Sequence, residues 1–180
     1  MSFSLEDLNW DQIMQRLMRI ARFDETVWEE IEYDEEAETE AAAVVVVAAL
    51  LAALGAAIAS ASVGVFILQF LSVILVSWLL WSAVTMLVGT QLFEAQTDFR
   101  EMIRMLGYAN APRALGLLSP IPCLGALIGL IGALLSLVIG FLAIREALDL
   151  DTGKTIITIL IGWVIVFIVS VFIGVGGLFL

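Results

Sequence analysis

The chain has 180 residues, 62% of them apolar, with a formal net charge of −11, one cysteine and no histidine. A soluble domain keeps roughly half its residues apolar, so the excess implies a membrane, and a single cysteine excludes an internal disulfide. The missing imidazole removes the commonest ligand of zinc, copper and haem and the usual base of nucleophilic triads, so no catalytic residue, metal site or cofactor is expected.

The charge is uneven: residues 1–40 hold 13 acids and 3 arginines, a net −10, which leaves −1 for the rest. No apolar run and no basic start precede Ala41, so the reading has no cleaved signal and places the N-terminus in the cytoplasm. Ser4 with Asp7 forms a capping box opening a helix. Trp10, Ile13, Met14, Leu17 and Ala21 then recur at helical spacing, with Asp11, Gln15, Arg16, Arg19 and Arg22 on the other faces. Phe23, Asp24 and Trp28 match a hydrophobic staple around an N-cap, so a second short helix is predicted from Glu25, carrying Val27, Trp28 and Ile31. The acidic run Asp34 to Glu40 suits the first turn of the helix that follows.

From Ala41 onward the chain runs in uncharged stretches of about 20 residues, the length that crosses ~30 Å of hydrocarbon. The first span is predicted at 41–59, rich in alanine and valine, and the second at 65–88, containing Gln69, Trp78 and Trp81. Residues 91–106 read as an interfacial helix whose apolar face holds Leu92, Ala95, Phe99, Met102, Ile103 and Leu106. Gly107, Pro112, Pro120 and Pro122 break the next region, which is read as a short third span at 106–121, a turn at Pro122 and Cys123, and a fourth span at 124–144. A polar loop from Arg145 to Gly153 leads to Thr152 as N-cap and a fifth span at 155–180.

The positive-inside rule decides between four spans and five. Five spans put all eight basic residues on one side: Arg16, Arg19 and Arg22 before the first span, Arg100, Arg104 and Arg113 between the second and third, and Arg145 and Lys154 between the fourth and fifth. The fold class is therefore all-α: an integral membrane bundle of five transmembrane helices at 41–180, preceded by an acidic amphipathic cytoplasmic segment at 1–40. The C-terminus is external.

Gly125 and Gly129, followed by Gly132, Ser136 and Gly140, stack small residues along one helix face, a pattern that permits backbone contact between membrane helices. Arg100 and Arg104, four apart at the interface, are candidates for anionic lipid headgroups. Arg113 is read as a snorkelling residue, Gln69 as a hydrogen bond to another helix, and Asp149 with Asp151 as a solvated loop without metal-site spacing. The acidic segment carries Trp10, Leu17 and Trp28 as candidates for docking a partner.

The stretch FREMIRMLGYANAP from Phe99 to Pro112 resembles the Ypt/Rab-interacting (Yip) domain family, bacterial type, whose members carry a Phe-Arg, Gly-Tyr and Pro pattern before a short third span. IPCLGALIGLIGALLSLVIGFLAIREAL followed by TGK resembles the family's fourth span and its entry to the fifth, and FDETVWEEIEYDEEA its lead-in. The matching positions are Gly107, Tyr108, Pro112 and Arg145. The resemblance implies a five-span bundle with a cytoplasmic N-terminus. In eukaryotes it implies binding of small GTPases and a role in vesicle traffic.

These readings converge on a non-catalytic structural or accessory subunit in a membrane, that of a bacterial cell by the type of resemblance. Its partners would be other membrane protein subunits and lipids, not nucleic acid. The alternatives are a small transporter or channel component, and a membrane-shaping or trafficking adaptor by family analogy.

Overall fold

The structure, a computed structural model, describes residues 8–172. The Ser4–Asp7 capping pair and residues 173–180 of the expected fifth span lie outside the described residues. Every regular element among the described residues is helical.

Helix α1 (Trp10–Ala21) opens at Asn9, whose side chain accepts from the Gln12 amide at 3.2 Å and so satisfies one orphan donor of the first turn. Helix α2 (Thr26–Tyr33) begins one residue later than expected, because the Asp24 carboxylate accepts from both the amide and the hydroxyl of Thr26, at 3.1 and 2.7 Å. Val27 and Ile31 of α2 are fully buried, each worth ~1.5–3 kcal/mol of apolar transfer.

Helix α3 (Ala37–Ser60) ends at Ala61, whose left-handed backbone (φ 50°) turns the chain into α4. Helix α4 (Val63–Phe93) has 31 residues. At 1.5 Å per residue that is ~46 Å, more than a perpendicular crossing of ~30 Å of hydrocarbon requires. Its middle, Val73–Leu80, is wound as a π-helix. That winding accompanies the presentation of Trp78, whose indole N–H donates to the Ile103 carbonyl of α5 at 2.9 Å. Helix α5 (Phe99–Ala109) is capped by Asp98, which accepts from the Glu101 amide at 2.8 Å.

At Asn110 the chain leaves the α conformation and continues as a 3₁₀ segment, Ala111–Leu118. Pro112 supplies the cause: it lacks an N–H and its ring disfavours the α region for the residue before it. Helix α6 (Leu124–Ala147) and helix α7 (Thr152–Phe172) complete the bundle. Asp151 rather than Thr152 caps α7, its carboxylate accepting from Gly153 and Lys154 at 2.9 and 3.1 Å.

Four helices, α3, α4, α6 and α7, are long and apolar enough to cross a membrane. The stretch expected as the third span is not among them, since it divides between the end of α5 and the 3₁₀ segment. That segment nonetheless lies along α3 throughout. A Cβ added to Gly107 would stand 2.6 Å from Ala41, one on Gly116 would stand 3.1 Å from Ala52, and one on Gly55 only 2.0 Å from the Gly116 carbonyl oxygen. Small residues let two backbones meet here, and Gly55 admits no side chain at all.

The core sits at one end, where α1 and α2 cap α3, α5 and α6. Trp28, Ile31, Val45, Met102, Met105, Leu106, Tyr108, Ile144 and Leu148 are buried together there. Helices α6 and α7 show most of their leucines, isoleucines and phenylalanines outward.

Candidate functional site

The cap is fastened by an arginine that the helical pattern had put on a solvent face. Arg16 is 2% exposed and donates to Glu30 at 2.9 Å, Asp34 at 2.6 Å and Glu40 at 2.6 Å. It thus ties α1 to α2, to the loop before α3 and to α3 itself. The Tyr108 hydroxyl donates to the same Glu40 oxygen, which brings α5 into the cluster. Burial works to raise Asp34 and Glu30, but Arg16, joined by Arg19 at Glu30 and by the Glu36 and Ala37 amides at Asp34, outweighs it and holds both carboxyls below their ordinary range.

Around this clamp the cap is acidic. Burial, reinforced by Glu146, Asp149 and Glu29, pushes Glu32 above the usual carboxylate range, and burial with Glu32 does the same to Glu101. Arg104 donates to the Glu32 carbonyl at 2.7 Å, and its Nε is buried without a hydrogen-bond partner among the described residues. Arg100 is exposed, one turn away. The two arginines proposed for lipid headgroups therefore point to different surroundings, one into the cap and one outward.

Of the residues singled out for docking, Trp28 is 2% exposed and holds α2 to the bundle, while Leu17 is half-buried. Trp10 is 51% exposed, in line with Met14 and Met18 on the outward side of α1; Ile13, Arg16 and Ile20 form the inward side.

Three of the four family-pattern positions, Gly107, Tyr108 and Arg145, lie at the joint between cap and bundle, and Pro112 lies deeper, against Gly132. Gly107 allows α5 onto α3, and Tyr108 is fully buried against Glu40. Pro112 starts the 3₁₀ segment and directs its carbonyl at Gly132 of α6, while Arg145 donates to Glu25 at 2.8 Å and links the end of α6 to α2.

The second feature is a cleft of about 830 Å³ between α3, the 3₁₀ segment, α4, α6 and α7. The small-residue face of α6 lines it: Gly129, Gly132, Ser136 and Gly140 all border it, and a Cβ on Gly129 or Gly140 would meet nothing within 4 Å. Gly125, one turn before, does make close backbone contact, its added Cβ standing 2.2 Å from the Ser119 carbonyl oxygen. Gln69, Ser77 and Arg113 also line the cleft, among Trp81, Phe141, Trp163 and Phe167. No spacing rule marks this cavity, because its walls come from five separate elements.

The described residues contain no cluster of His, Cys, Asp and Glu suited to a metal ion. A family model, the Yip1 domain, matches residues 22–174. The chain belongs to the Yip1 domain family. No curated protein and no solved structure matches it. The family is one of membrane proteins not known as enzymes, and membership with four span-length apolar helices makes this Yip1-domain chain a multi-pass membrane protein. It also points to interactions with other proteins in membranes.

Proposed function

We propose that this Yip1-domain protein is a non-catalytic accessory subunit that crosses the membrane five times and docks a partner protein on its cytoplasmic cap. The observation that carries the reading is the exposed line Trp10, Met14 and Met18 on a helix that the Arg16 cluster holds rigidly in place. Three large apolar side chains at i, i+4 and i+8 on the outward side of α1 match the helix-in-groove mode of recognition. An anionic leaflet repels a segment of net −10, so a basic protein surface is the fitting occupant.

Five crossings are favoured by parity. Residues 107–116 run alongside α3 from Ala41 to Gly55, and the far end of α6 returns to the cap, where Arg145 pairs with Glu25 and Leu148 packs on Gly89. If residues 106–121 stayed on the cap side, α6 would end at the opposite face from its own contacts. The short third crossing is then half α-helix and half 3₁₀, sheltered from lipid by α3 and α6. On this topology the exposed Cys123 faces outward. An impermeant thiol reagent on intact cells should label it, and labelling from the cytoplasmic side alone would overturn the topology.

The docking reading is tested by photo-crosslinking from position 14 of the full-length protein. A single basic partner, retained stoichiometrically in mild detergent, is expected. Trp10→Ala with Met14→Ala should raise its off-rate ~30-fold, as for a buried aromatic anchor. Crosslinks to lipid only, or a partner retained in full by the double variant, would remove the docking role from α1.

A further inference from the structure

The geometry points to the cleft beside Arg113 as a binding site for an anionic phospholipid, with the lipid phosphate on the Arg113 guanidinium and its chains along the apolar wall of α6 and α7. This inference is independent of the docking reading, since no residue of α1 or α2 borders the cleft.

Depth comes first. Gly107 is level with Ala41 and Gly116 with Ala52, and the 11 residues of α3 between them rise ~16 Å. Arg113 lies two-thirds of the way along that interval, ~11 Å from the level of Ala41 and well inside ~30 Å of hydrocarbon. A cation at such depth is expensive and marks a functional position unless it is paired. Arg16 shows what pairing looks like in this chain, with three carboxylates within 2.9 Å. Arg113 makes no ion pair and no side-chain hydrogen bond among the described residues; it is half-buried and open to the cleft. The missing charge must come from a ligand.

The cleft identifies the ligand's chemistry. Its volume of about 830 Å³ lies within the ~300–1,000 Å³ range of ligand sites. Neutral donors stand with Arg113 along its walls, the Gln69 amide and the hydroxyls of Ser77 and Ser136, and no carboxylate borders it. A phosphate oxygen suits this set, since guanidinium binds phosphate in a planar, two-pronged fashion. The rest of the wall is apolar, and Trp163, Val164 and Phe167 are both cleft-lining and outwardly exposed, so the cleft opens sideways to the acyl chains of the bilayer. A free anion would leave that wall unused; a phospholipid fills both parts. The glycine face of α6 contributes by its emptiness, because side chains at Gly129 and Gly140 would occupy the space.

The test uses the full-length protein in phosphatidylcholine bilayers containing a minor fraction of phosphatidylglycerol, re-extracted in mild detergent, with retained lipid counted by native mass spectrometry. Selective retention of phosphatidylglycerol is expected. Arg113→Gln should lower it about tenfold, the loss of a charge-assisted hydrogen bond to phosphate, while Arg113→Lys keeps part of it. Gly129→Leu, whose Cβ would meet no protein atom within 4 Å, should also lower it, and Arg22→Gln at the exposed end of α1, away from the cleft, should not. Full retention by Arg113→Gln or by Gly129→Leu would overturn the site. Equal retention of phosphatidylcholine, or displacement of the lipid by inorganic phosphate alone, would overturn the assignment to an anionic lipid. Should Arg113→Gln fail to insert, the Gly129→Leu and Arg113→Lys pair still decides.

Discussion

The two halves of this protein are built from the same ingredients, a stripe of small residues and an inward arginine, and use them in opposite ways. In the closed half, Gly55, Gly107 and Gly116 bring α3 into close contact with the end of α5 and the 3₁₀ segment, and Arg16 is paired with Glu30, Asp34 and Glu40. In the open half, Gly129 and Gly140 border empty space and Arg113 pairs with no described residue. A small residue at four-residue spacing permits close approach without requiring it. Whether a helix arrives depends on where the neighbouring chain is led, and here Pro112 leads it towards α3.

The largest expected contrast is between the two arginines. Arg16→Met leaves Glu40, 4% exposed, without its cation, and breaking such a buried pair costs ~3–5 kcal/mol. Arg113→Gln removes an unpaired charge that is expensive at its depth and should cost no stability, or raise it. Midpoints of unfolding in sodium dodecyl sulfate, measured side by side, check this; equal losses would erase the distinction between structural and ligand-facing arginine.

The glycines give the next contrast. Gly55→Ala places a Cβ against the backbone of Gly116 and should cost ~1–3 kcal/mol or more. Gly129→Ala meets nothing, and should gain ~0.5–1 kcal/mol from helix propensity alone. The same unfolding assay reads both signs.

Acidity should act on the cap and spare the cleft, which no carboxylate borders. Glu32 and Glu101 have raised carboxyls, so the folded cap binds their protons more readily than the unfolded chain and gains stability as pH falls from 7 towards ~4.3. Asp34 and Glu30 are lowered, so their contribution is present above the ordinary carboxylate range near ~4 and is lost as pH falls below it through their folded values. Protection of the Arg19 and Arg22 peptide bonds from brief proteolysis should therefore rise on mild acidification and collapse under strong acid. A steady decline from pH 7 downward would contradict the raised pair.

The smallest stability effect is expected for Trp10→Ala. Its half-exposed ring should contribute within ~0.5 kcal/mol to folding, which separates its proposed docking role from the structural role of Trp28.

Much of the architecture was legible because lipid forces regularity on the backbone: four long apolar stretches read as helices close to their observed bounds. Cap chemistry was misplaced by one residue at Thr152, where Asp151 supplies the stronger acceptor, and was missed at Asp98, which fell inside the interfacial helix expected at 91–106. The stripe of α1 was read with Trp10 and Met14 beside Ile13 on one apolar face. The folded helix is turned so that Arg16 joins Ile13 and Ile20 inside, because three acids distant in sequence converge on it.

By itself, then, the sequence determined the solvent, the helical class, the long apolar spans, the acidic lead-in and the family resemblance, all of which follow from composition, periodicity and local motifs. Tertiary structure alone decided which arginine is paired, which glycines touch a backbone and where a cleft opens. Those outcomes depend on long-range meetings, Arg16 with Glu40, Gly55 with Gly116, Pro112 with Gly132, and no local pattern encodes the distance between residues that the chain brings together only on folding.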